Sequence, residues 1–477
     1  MQRPSHALTE GAIGKTLALF SLPILAGNVL QSLNGSVNAI WVGHGLGEAA
    51  LAATSNANTI LFFLIGTMFG VGMAANILVG QSIGAKNLDQ AKRTVGTSLT
   101  FFLVMSLLLA VLGFVFSDRL MAWMHMPADA LPLAVAYLRV IFLGIPFMYL
   151  LAFVSMTLRG AGDARTPFLF LLLCVVLDIT LNPLFIFGLG PVPRMGIAGS
   201  AVATLIAQII TLAALIAYLY HSKHFLRLQR GEAHYLRIDP VILRSLFTKG
   251  IPMGLQMIVM SLSMIAMISL VNSFGAHTTA AYGACFQLWN YIQMPGFAVG
   301  MAVSSMAAQN VGAGKWDRVH RVAMTGVAFN FLLTGVLVLT IYLFNRGALG
   351  LFLPTDSDAI VIAQHINAIV VWSFMFFGVS FVLAGVVRST GAVIPPLIIL
   401  FVALWLVRIP FAYALVSRWQ ADAIWWSFPL GSLVSMSLSI AYYRYGNWRS
   451  AHMLATAAPP PVPIPAAAAP VADAEAG

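Results

Sequence analysis

The feature that most constrains this chain is a succession of unbroken apolar runs, each long enough to cross a lipid bilayer. A helix crosses the roughly 30 Å hydrocarbon layer in about 20 residues at 1.5 Å each. Twelve such runs fall at 16–42, 57–79, 95–116, 133–158, 166–189, 197–220, 251–274, 281–307, 322–344, 360–387, 393–416 and 423–443. Composition agrees: 60% of the 477 residues are hydrophobic, only 8% are charged, and the mean hydropathy is +0.90. Soluble domains carry roughly a quarter charged residues, so a water-soluble globule is excluded. Barrel strands alternate over about ten residues, which these longer continuous runs do not. The expected fold is an all-α polytopic membrane protein of 12 transmembrane helices.

The net charge of +10 raises the question of nucleic acid, but in such a chain basic residues first report which loops stay in the cytosol. With the N-terminus inside, 19 of the 25 Lys/Arg fall in inner segments. Four (Arg119, Arg194, Arg346, Arg418) fall in outer ones, and Arg139 and Arg408 lie within spans. Both termini are therefore expected in the cytoplasm of a cell (inner) membrane protein, and no nucleic-acid partner is expected. The run after Lys15 is too long for a signal-peptide core and stays as the first span. Cys174 and Cys285 sit in apolar runs without CxxC or Cys/His spacing and read as packing residues rather than disulfide or zinc ligands.

The second half resembles the first at an offset of about 228 residues. Gln81-Ser-Ile-Gly84-Ala85 falls on Gln309-Asn-Val-Gly312-Ala313, Asp89 on Asp317 and Arg93 on Arg321. One residue further along, Leu22-Pro23 falls on Ile251-Pro252, Arg159 on Arg388, Gly162 on Gly391 and Pro167 on Pro396. Six spans per half is an even number, so both halves enter the membrane from the same side. Parallel repeats of this kind are a transporter architecture in which two bundles flank a cleft. The expected division is a cytosolic N-terminus (1–15), a six-helix lobe (16–221), a basic linker (222–249), a second six-helix lobe (250–450) and a disordered Ala/Pro-rich tail (451–477).

These motifs, with Ile40-Trp41-Val42-Gly43, Arg159-Gly-Ala-Gly-Asp-Ala-Arg-Thr-Pro167, Asn182-Pro-Leu-Phe-Ile-Phe-Gly188 and Arg408-Ile-Pro410, resemble the multidrug and toxic compound extrusion (MATE) family over roughly residues 10 to 450. The resemblance implies two lobes around a central cleft. It further implies antiport: amphipathic, often cationic drugs or metabolites leave in exchange for protons or sodium. The chain departs from the family in two places. Asn38 stands where members often have Asp, and Asp178 with Asn182 reverses the order in which a subset places that pair. The second half lacks the membrane acids of another subset, so coupling is expected in the first lobe.

Read residue by residue, Asp178 is the only one of fifteen acids well inside a span, about 15 Å from Phe168 at the cytosolic end. A mid-bilayer carboxylate costs at least about 2.5–3.5 kcal/mol, so it must face a partner or a wet cavity. Two readings follow: a cation-coupling group, taking a proton or sodium, or a structural carboxyl paired with Arg139 or polar neighbours. Gln31, Asn34 and Asn38 form a polar face on span one, Asn182 lies one turn beyond Asp178, and Thr204 pairs with Gln208 on span six. Arg408, the other deep charge, is either bonded to carbonyls of its own lobe or aimed at a gate or an anionic group.

Met253, Met257, Met260, Met264 and Met267 recur at spacings of 4, 3, 4 and 3 and share one helix face, which is either packing or a pliable substrate wall. Phe286, Trp289 and Tyr291 would add aromatic contacts, and Gln256, Gln287 and Asn290 sparse hydrogen bonds. No P-loop, HExxH or GxSxG is present, so no enzyme, cofactor or resident metal is expected beyond the coupling ion. The partners expected are small molecules and the bilayer, with the chain acting as a monomer. A lipid-linked oligosaccharide flippase of related fold is the alternative, and it would call for a more basic cleft.

Overall fold

The computed structural model describes residues 8–46, 48–124, 131–188, 193–354 and 357–454. Among them are twelve long helices, α1 Ile13–Leu46, α2 Glu48–Gly84, α3 Leu88–Trp123, α4 Leu131–Gly160, α5 Arg165–Phe187 and α6 Ile197–His221 in the first half. The second half holds α7 Pro240–Asn272, α8 Ala276–Gly312, α9 Trp316–Leu343, α10 Asp358–Thr390, α11 Ile394–Trp419 and α12 Asp422–Tyr445. Eleven are long and apolar enough to cross a membrane. The twelfth, α8, has the length but carries Gln287, Asn290, Gln293, Gln309 and Asn310. Helices with their polar backbone satisfied internally are what such a sequence must form in lipid.

The helices outrun the apolar stretches because caps, not hydropathy, end a helix. α7 begins at Pro240, inside the stretch assigned to the linker, where Asp239 accepts from Val241 N–H at 2.9 Å and proline occupies the first turn. The rest of the linker carries a short 3-10 helix, Arg230–Leu236, strapped onto α3: Lys92 meets Glu232 at 2.6 Å, and Thr100 donates to the Leu236 carbonyl at 2.8 Å. Burial opposes ionisation of Glu232, but hydrogen bonds from Lys92 and the Gln229 N–H outweigh it and hold the carboxyl below the usual range.

Both ends of the described chain dock at one end of the bundle. The Leu8 N–H donates to Gln309 Oε1 at 3.2 Å, and Lys315 and Arg318 donate to the Thr9 and Glu10 carbonyls. At the other terminus Met453 is buried and its carbonyl accepts from Ser245 at 2.5 Å. Of residues 451–454, assigned from composition to a disordered tail, Met453 is thus packed, with Ala451 and Leu454 partly buried; residues 455–477 lie outside the described set.

At this same end the two lobes lock together. Leu17, Phe20 and Ile24 of α1 share an apolar core with Val303 of α8, Val322 of α9 and Val382 of α10. α2 and α8 approach through glycine: a Cβ at Gly84 would overlap the Gln309 carbonyl, and one at Gly312 would overlap the Gln81 carbonyl. The polar contacts are exchanged with the symmetry of the repeat. Gln81 Nε2 of the first lobe donates to the Ser389 carbonyl at 2.7 Å, and its counterpart Gln309 Nε2 donates to the Gly160 carbonyl at 2.9 Å.

Candidate functional site

Two places collect the polar groups that the membrane interior makes costly. The first lies in the N-terminal lobe. The buried residues of the middle and end of α5 are Val175, Asp178, Asn182 and Ile186, spaced 3, 4 and 4, so the helix turns one face toward α1 and α6. Asp178 is 1% exposed and sits about 20 Å along a helix of roughly 34 Å, well away from either end.

Four donors from three helices converge on its carboxylate. Asn34 and Asn38 of α1 donate to Oδ2 at 2.8 and 2.9 Å. Thr204 of α6 donates to Oδ1 at 2.7 Å, and Asn182 Nδ2 lies 3.1 Å from the same oxygen. Asn182 Nδ2 also reaches Asn38 Oδ1 at 3.0 Å and the Asp178 carbonyl at 2.9 Å, so three acceptors share its two hydrogens. Asn34 Oδ1 and Asn182 Oδ1 are buried and have no hydrogen-bond partner. The cluster is therefore rich in donors toward the acid and holds two amide oxygens in reserve.

Some expected members lie elsewhere. Gln31 is exposed, a turn nearer the end where the lobes lock, and is not among the groups bonded to Asp178. Gln208 likewise stays out of the network around Thr204. Arg139 is no partner of Asp178: it pairs with Asp118 of α3 at 2.5 Å, and both are well exposed. A structural carboxyl balanced by Arg139 is thereby overturned, since the salt bridge is made with a different acid.

The second place is a cavity of about 320 Å³ in the C-terminal lobe, near the lower end of the range for small-molecule pockets. α7 supplies Met257, Met260 and Met264, which are half-buried, whereas at the ends of the same stripe Met253 is buried beside a smaller neighbouring cavity and Met267 is buried in packing. α8 supplies Phe286, Trp289, Asn290, Gln293 and Phe297, and α12 supplies Phe428. Trp289 is fixed by its indole N–H, which donates to Asn367 Oδ1 at 3.0 Å. Among the described residues Arg408 of α11 is the only charged one lining the cavity, and Phe62 reaches it from α2 of the other lobe.

Three expected lining residues are corrected. Gln287 is exposed and points away from the cavity, Tyr291 does not line it, and Gln256 accepts from Arg388 at 2.8 Å beside a smaller neighbouring cavity. The sequence held the signal for the missed ones: stepping 4, 3 and 4 from Phe286 gives Asn290, Gln293 and Phe297, the period already seen in the methionines. Phe374 and Phe377, on α10, had no polar or periodic mark to single them out.

The family model described as MatE matches residues 23–184 and again 252–414, the second match starting where Pro252 repeats Pro23. The "Probable multidrug resistance protein YoeA" of Bacillus subtilis (strain 168) is 37% identical over 439 residues, covering 92% of this chain and 95% of that protein. The "Probable multidrug resistance protein YpnP" of the same organism is 33% identical over 453 residues, covering 94% and 98%. A solved structure described as the outward-facing conformation of a multidrug resistance MATE family transporter superposes with a TM-score of 0.86 at 22% identity, covering 93% of this chain and 98% of that one. That last likeness shows the fold. With two matched halves and close relatives along nearly its whole length, the chain belongs to the MATE family of multi-pass membrane transporters, and it is a transport protein rather than an enzyme.

Proposed function

We propose that this chain is a secondary antiporter that exports amphipathic small molecules, drugs or metabolites, from the cytosol, driven by inward movement of a proton or a sodium ion through Asp178. The observation that carries this reading is a single acid at mid-membrane depth, buried and ringed by Asn34, Asn38, Asn182 and Thr204. The basic bias of the loops supports a cytoplasmic position for both termini, a reading that makes the locked end cytosolic and the state described outward-facing.

The cluster suits a group that must hold a cation and let it go. Each asparagine that now offers N–H to the carboxylate also carries an oxygen. With the amides turned, the same shell accepts an O–H from a protonated carboxyl or presents oxygens to sodium, a hard cation that favours them. The carrier condition is that occupancy and lobe position bias one another. The test is substrate flux in liposomes under imposed proton and sodium gradients, applied separately to wild type and Asp178→Asn. Flux driven by one gradient in the wild type and lost in the variant supports the reading; full flux in the variant sinks it.

A further inference from the structure

Arg408 stands in the lining of the C-terminal cavity with its charge unanswered. Among the described residues no acid lines that cavity, and Nε and Nη2 of Arg408 are buried without a hydrogen-bond partner. One face of the guanidinium lies over the Phe428 ring, 3.4 Å from its centroid. That ring is itself backed by Trp289 at 5.1 Å and Tyr282 at 6.4 Å. Stacking satisfies the flat face but leaves the edge donors, and a buried charged donor left unpaired is costly.

The backbone around it is unusual as well. Val402–Arg408 is wound as a π-helix, a rare form concentrated at functional sites. Pro410 just beyond has no N–H to give back to the preceding turn. Trp405 of this segment donates to the Val259 carbonyl of α7 at 3.2 Å, which ties the wide turn to the methionine-bearing helix. The segment places Ala403, Leu404 and Arg408 together on the cavity wall. Around the arginine the wall is largely aromatic and thioether, with Asn290 and Gln293 as the amides and Ser261, Ser432 and Ser435 as the hydroxyls.

We infer that the C-terminal cavity binds the anionic head of a flat, apolar compound: a carboxylate or phosphate accepts from the edge of Arg408 while its ring system lies among Phe286, Trp289, Phe428 and the methionines. A planar anion matches the guanidinium fork two bonds at a time, which an ammonium cannot do and a like charge would be repelled from. The transported class then includes aromatic anions beside the cations expected of the family. This rests on the cavity being the substrate recess of an exporter.

The test is equilibrium binding, without any gradient, to the full chain in nanodiscs of zwitterionic lipid, read by calorimetry. The probes are 2-naphthoate and 2-naphthyltrimethylammonium, which share an aromatic body and differ in charge. Wild type should bind the anion tighter by about tenfold or more. Arg408→Gln should erase that preference by weakening naphthoate, and Arg408→Lys should restore part of it, because the charge returns without the fork. Equal affinity, or preference for the ammonium, in the wild type alone overturns the inference, so the outcome does not depend on the variants folding. Equal weakening of both probes in Arg408→Gln overturns it too. Asp178→Asn should keep the preference for naphthoate over the ammonium, whatever its absolute affinity, while failing to export, so failure of the coupling reading and failure of this one give different results.

Discussion

At the scale of single residues, the carboxylate of Asp178 is held by more donors than a buried acid needs merely to be tolerated, and each contact gives a test. Asp178→Asn keeps the shape and is expected to leave folding near normal while reducing gradient-driven flux in liposomes to background. Thr204→Ala removes one donor of about 1–3 kcal/mol and should lower flux severalfold, because the remaining three still hold the acid. The exchange of Asp178→Asn with Asn182→Asp should recover part of the flux: residue 182 already sits 3.0 Å from Asn38, but a turn further from Asn34 and Thr204. No recovery would mean that the three-helix geometry, rather than a carboxylate on this face, sets coupling. Asp178 was legible in the sequence as a candidate because a lone acid deep in an apolar run needs a partner or a wet cavity to offset its cost. Asn34, Asn38 and Thr204 were legible by spacing. Gln31 shares their helix face, but periodicity fixes direction and not height, and the acid sits level with the turn from 34 to 38.

At the scale of elements, the methionine stripe of α7 divides into a middle that lines the cavity and two buried ends that do not. A helical period marks a face but not how far the neighbouring helix stays away from it, which is why the sequence left both readings open. Met257→Ala with Met260→Ala should therefore reorder susceptibility across a panel of exported compounds while leaving the ion dependence of flux unchanged. A uniform effect on every compound, or none, would assign these residues to packing. The aromatic wall on α10 was invisible for a related reason: a phenylalanine facing a cavity and one facing lipid look alike in a run of apolar residues. The linker shows the converse, since Asp239-Pro240 announces a helix start that hydropathy hides.

At the scale of the whole molecule, the repeat that is visible as matching glutamines and glycines becomes a lock in which each half grips the other. Gln81→Ala with Gln309→Ala should shift the population toward opening at the locked end. Spin labels at Lys86→Cys and Arg321→Cys, in a background without Cys174 and Cys285, should report a longer mean distance in the double variant; an unchanged distribution would show that the glycine contact suffices alone. The sequence showed the two halves but not their grip, because which backbone carbonyl a side chain meets across an interface is a property of the docked pair. The separation of the two polar places has a thermodynamic consequence. On the proposed reading, the ion at Asp178 lies in one lobe and the cargo in the Arg408 cavity of the other, so the two would not displace each other by occupying the same space. Their antagonism has to act through the balance of outward and inward states, and such linkage is reciprocal and finite, typically about 5- to 150-fold. Raising the coupling ion should therefore weaken naphthoate binding only to a plateau, whereas simple competition would weaken it without limit, and a titration of apparent Kd against ion concentration distinguishes the two.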